Sequence, residues 1–118
     1  MDFKDIDFDI NDEDTQRLLS KIFARTKELC FEEMEKIGPL AQKAIKNSGH
    51  LSTKELEDVR DSVMCVARTL TGMIETGRLL KDVSESILNE LISIREGFLK
   101  GEGKLSLAVL VRQYKENQ

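Results

Sequence analysis

The sequence predicts an all-α protein, a four- to five-helix bundle with a kinked first helix and an extended acidic N-terminal arm. Three observations carry that expectation. Apolar residues recur at spacings of three and four along most of the chain. With one Pro, no Trp and 34% charged residues, the composition suits amphipathic helices; a sandwich or barrel would need more turn residues. A capping box, Ser52 with Glu55, then marks one helix start unambiguously. The 118 residues include 35 Leu, Ile, Val and Phe, about 30% of the chain and well above the ~20% at which disorder becomes the expectation. One domain with one core is the size-based reading. The division is an arm over 1–12 and a single helical domain over 13–118.

The arm comes first. Residues 1–14 hold seven acids and one base, a net of −6, whereas the other 104 residues hold 15 acids and 17 bases, a net of +2. Phe3, Ile6, Phe8 and Ile10 interleave with Asp5, Asp7 and Asp9, and from Ile6 onward the period is two, which is extended. Three readings fit: a solubilising tail, a segment docked on its own body, or a recognition segment ordered by a partner. Asn11, Asp12 and Asp14 then offer N-caps for a first helix from about Asp14.

That helix carries Leu18, Leu19, Ile22, Phe23, Leu29, Cys30, Met34 and Ile37 on one broad face. Gly38-Pro39 should kink it or form a tight elbow, because Leu40, Ala41, Ala44 and Ile45 continue the same face. Asn47-Ser48-Gly49 should end it. The next helix opens at the capping box, with Leu51 and Leu56 as a hydrophobic staple. Leu56, Val59, Val63, Val66, Leu70, Met73, Gly77 and Leu80 form its apolar stripe. A break near 80–83 is expected, with Asp82 and Glu85 as a second capping box. Lys100-Gly-Glu-Gly-Lys104 reads as a loop. The tail reads as a short helix with Leu107, Leu110, Val111 and Tyr114 on one face; a strand pairing with residues 6–10 is the alternative.

Beside the stripe of the second long helix runs another: Ser62, Cys65, Thr69, Gly72 and Thr76. These residues are small, so a neighbouring backbone can come close. The bundle itself would account for them if this helix sat centrally against helix 1. They also fit a self-association surface or a groove for a partner helix, or a small pocket at Cys65, Thr69 and Thr76.

Chemistry finds little footing. His50, the lone histidine, sits in a connection, so a Ser-His or Cys-His site has no convincing base. Cys30 and Cys65 are far apart and form no CxxC pair, which reads as reduced thiols and no structural zinc. No cofactor is expected. Glu33 falls in helix 1's apolar face, a possible buried polar site unless the helix rotates it toward Arg60 or Arg68. Arg17, Lys21 and Arg25 align, but without aromatic residues and with Glu28 and Glu32 following, so direct nucleic-acid binding is not expected. No apolar run reaches the length of a membrane span, and the acidic start lacks the apolar core of a secretory signal. The expectation is a cytoplasmic, non-enzymatic protein–protein interaction module (an adaptor, regulator or small subunit) that self-associates as a homodimer. The alternatives are an acidic inhibitor or nucleic-acid mimic acting through the arm, and a small helical-bundle ligand sensor or enzyme.

Overall fold

A computed structural model describes residues 9–118. The expected contacts of Phe3, Asp5, Ile6, Asp7 and Phe8 lie outside the described residues. The described chain is all-helical, with three long helices, α1 (Glu13–Lys46), α2 (Thr53–Leu79) and α3 (Glu85–Glu116), and a short 3-10 turn at Ser48–His50. The expected four to five helices are therefore three. They form an elongated body of 59 × 28 × 19 Å.

The count falls for two local reasons. α1 runs through Gly38-Pro39 without an elbow; Pro39 is exposed, so its ring meets solvent, while Ala41 and Ala44 beyond it are buried. The loss of one amide donor does not end a helix anchored on both sides. Lys100-Gly-Glu-Gly-Lys104 is likewise helical, inside α3. Each Gly costs roughly 1 kcal/mol relative to Ala, but Leu91, Leu105 and Val109 are buried on either side of it, and each such side chain contributes about 1.5–3 kcal/mol. The tail is thus the last part of α3, and the strand alternative is wrong.

The helix starts follow local chemistry. Asp12 accepts from the Thr15 amide and caps α1. In α2 the expected capping box is complete: the Ser52 hydroxyl accepts from the Glu55 amide, and Glu55 accepts from the Ser52 amide, both at 3.1 Å. The break at 80–83 is present, but Ser84 caps α3 by accepting from the Ile87 amide at 3.3 Å. Asp82 instead accepts from the Ser20 hydroxyl of α1.

α2 is the central element: both α1 and α3 pack on its buried face, and they meet each other less than either meets α2. Two clusters fill the contacts. Phe23, Cys30, Val66, Leu70, Met73, Ile74, Leu80 and Leu91 form one, and Ala41, Ala44, Leu56, Val63, Leu105 and Val109 form the other. Leu70 and Ile74 are wholly inaccessible. The α2–α3 connection closes most tightly at Gly77, where a Cβ would come within 2.8 Å of Leu88 and 3.2 Å of Phe23.

Side chains pin both ends. Gln16 donates to the Ile10 and Leu79 carbonyls at 2.8 and 2.9 Å and accepts from the Lys81 amide at 3.1 Å. At the far end Arg112 donates to the carbonyls of Ser48, Gly49 and Leu51, and Thr53 donates to Glu116 at 2.6 Å.

Two glycine substitutions test this packing in opposite directions. Gly77→Leu should destabilise by about 1–3 kcal/mol through overpacking. Gly103→Ala, with open space around it, should stabilise by about 0.5–1 kcal/mol because it sits inside a helix. Urea unfolding followed by circular dichroism measures both, and a neutral or harmful Gly103→Ala would contradict helical structure there.

Candidate functional site

The small-residue stripe is not enclosed by the bundle. Cys65, Thr69 and Gly72 are exposed and Ser62 and Thr76 half-buried, and a Cβ on Gly72 would meet nothing within 4 Å. Helix 1 does not cover the stripe as a tight intramolecular contact would require. α1 meets α2 instead through the edge holding Phe23, Cys30, Ala41 and Ala44. That rotation leaves Leu18, Ile22, Leu29 and Leu40 exposed, all within about 40° of one another around α1 at ~100° per residue.

Between the two rows lies a trench. One end is a cleft of about 590 Å³ lined by residues including Leu29, Cys30, Ile37, Ser62, Cys65 and Thr69. It continues into a cleft of about 280 Å³ at Ile22, Phe23, Thr69, Gly72, Met73 and Thr76. Thr26 and Thr69 belong to both. From Ser62 to Thr76 the trench follows α2 over 15 residues, a rise of about 21 Å or four helical turns.

The hydroxyls in the stripe are already satisfied. Ser62 donates to the Asp58 carbonyl at 3.0 Å, Thr69 to Cys65 and Thr76 to Gly72, both at 2.9 Å. This back-bonding within the helix removes the polar demand of the floor. A neighbour placed on this floor needs shape and apolar surface, with charge only at the rim, where Glu33 and Asp61 line the larger cleft.

Glu33 corrects an expectation. It is exposed and pairs with Lys36 at 3.6 Å, not with Arg60 or Arg68, and so is not a buried polar site. Among the described residues no polar or charged side chain is buried. The same rotation of α1 that exposes Leu29 brings Glu33 to the rim of the larger cleft. His50 is exposed in the 3-10 turn, and no three His, Cys, Asp or Glu side chains among the described residues converge as metal ligands. No described helix is long and apolar enough to cross a membrane. Asp9 and Ile10, the described part of the arm, are held at the start of α1. The Asp9 side chain accepts from the Asn11 amide at 3.0 Å, and the Ile10 carbonyl meets Gln16.

A second surface was visible in sequence only as a helical face. Leu107, Leu110 and Tyr114 are 63, 62 and 68% exposed, and Val111 is exposed beside them. Leu105 and Val109 face the core on the other side of the same turns. This part of α3 is apolar around most of its circumference, a pattern otherwise found in helices covered on all sides. No protein-family model, curated protein or solved structure matches the chain.

The two thiols differ in setting. Cys65 is exposed in the trench, whereas Cys30 is buried beneath it, and burial pushes the Cys30 thiol up. A maleimide should therefore modify Cys65 in the folded protein and reach Cys30 only on unfolding, which mass spectrometry of timed aliquots reads directly. The raised pKa keeps the Cys30 proton bound more tightly in the folded state. Its contribution to stability is thus present at neutral pH and is lost as pH rises past the ordinary thiol range toward the folded value. Rapid double modification under native conditions would contradict the packing of α1 on α2.

Proposed function

We propose that the chain is a non-enzymatic helical interaction module that self-associates, with the α1–α2 trench as its contact surface. The observation that carries this reading is the trench itself: four turns long, floored by small side chains with satisfied hydroxyls, and edged by an exposed apolar row. A helix fits such a groove better than a compact ligand, because the groove runs along the helices and is open to solvent. The apolar row of α1 supplies a matching occupant. In a two-fold pairing, the row Leu18, Ile22 and Leu29 of one copy packs along the row Cys65, Thr69 and Gly72 of the other, in that order, and the contact repeats by symmetry. Burying these side chains stabilises the pair, while their exposure in one copy leaves apolar surface in water. The role that follows is that of an adaptor, regulator or small subunit, and the cytoplasm suits its thiols.

Sedimentation or light scattering over a hundredfold concentration range tests the reading. The wild-type chain should form a concentration-dependent dimer. Thr69→Leu and Gly72→Leu should shift it to monomer while leaving the helical circular dichroism intact, since both positions are open to solvent within one copy. A wild-type chain that stays monomeric throughout would refute self-association. A ligand-dependent rise in Tm without any dimer would favour the sensor alternative, with the larger cleft as its pocket.

A further inference from the structure

The exposed face at the end of α3 lies apart from the trench and has its own chemistry. Leu107 and Val111 line a cleft of about 330 Å³ with Lys104, Arg112 and Lys115. Residues 99–118 hold four bases and two acids, and neither acid lines this cleft. Glu102 accepts from the Ser106 hydroxyl at 2.7 Å, and Glu116 accepts from Thr53. Lys100, Lys104 and Lys115 enter no ion pair among the described residues. The surface is therefore apolar and basic together.

The arm is its complement: apolar Phe3, Ile6, Phe8 and Ile10 alternate with acids, within a stretch of net charge −6 over residues 1–14. We propose that the arm of one copy docks on the Leu107, Leu110, Val111 and Tyr114 face of a second copy. Ile6 and Phe8 then cover the α3 face, and the long side chains of Lys104 and Lys115 reach past the edge of the segment to Asp5 and Asp7 on its other side, while Asp9 stays at the start of α1. This inference rests on the self-association reading.

Distance excludes the same contact within one copy. Gly77 brings Phe23 of α1 level with Leu88 of α3. From that level Asp12 lies eleven residues toward one end and Leu107 nineteen toward the other. At ~1.5 Å per helical residue the separation is about 45 Å. Phe3 is nine residues from Asp12, a reach of about 32 Å even when fully extended. In an antiparallel pair, the α1 start of one copy lies beside the α3 end of the other, which brings the arm within range. The Arg17, Lys21 and Arg25 row on α1 is closer but poorer in free charge, because Arg17 pairs with Asp14 and Arg25 with Glu28.

The test mixes two full-length populations in a Cys65→Ser background. One carries a nitroxide at Lys4→Cys, which leaves every arm acid in place, and the other is labelled with nitrogen-15. The expected result is loss of amide intensity across residues 104–115 of the labelled copy, restored on reducing the nitroxide. It should disappear with Lys104→Glu and Lys115→Glu together, while the dimer mass persists. A dimer without broadening at 104–115 overturns the arm assignment and leaves self-association standing. A monomeric mass of the wild-type chain at the same concentration overturns both, and the Cys65→Ser background is used only once its dimer mass matches that of the wild-type chain. Broadening that survives the double charge reversal overturns the charge-matched docking.

Discussion

Everything in this fold depends on one face of α2, against which both α1 and α3 pack. Leu70 and Ile74 are completely inaccessible because α1 and α3 together close over that face. The cost of that arrangement falls on the outer helices. α1 and α3 meet each other less than either meets α2, so each has one apolar edge in the core and another that no described residue covers. A fourth helix in the fold would have closed the bundle and hidden those edges. Three long helices give an elongated body in which apolar rows remain on the surface.

Polar contacts do a different job. Apolar packing is weakly directional, so it holds the helices together without fixing how far one slides along the next. Gln16 and Arg112 supply that register at opposite ends, each reaching backbone carbonyls in a connection. Gln16 ties the start of α1 to the α2–α3 turn, and Arg112 ties the end of α3 to the 3-10 turn. The exposed ion pairs along the helices, mostly between neighbours three or four residues apart, contribute much less.

The trench between α1 and α2 and the face at the end of α3 are the surfaces left over when two helices pack on one face of a third. The trench is small-floored and neutral in its hydrogen bonding, while the α3 face is apolar and basic. Two surfaces of such different character underlie the two proposed contacts, a helix in the trench and the acidic arm of a second copy on the α3 face.

The sequence by itself determined the helical class, the α2 stripe, the capping box at Ser52 and Glu55, and the turn after Leu79, because these are local. Spacing at 3.6 residues per turn and a side chain hydrogen-bonding its own backbone three residues away need no tertiary partner. Tertiary structure decided how many helices there are and which way they face. Gly101, Gly103 and Pro39 are helix breakers by propensity, yet buried Leu105, Val109, Ala41 and Ala44 beyond them carry the helices through. The broad apolar face of α1 offered two edges of similar hydrophobicity, and only contact with α2 selected Phe23 and Cys30 over Ile22 and Leu29. That selection turned Glu33 outward and left the small-residue stripe open to solvent. Burial is a relation between elements distant in sequence, so neither outcome could be read from α1 alone.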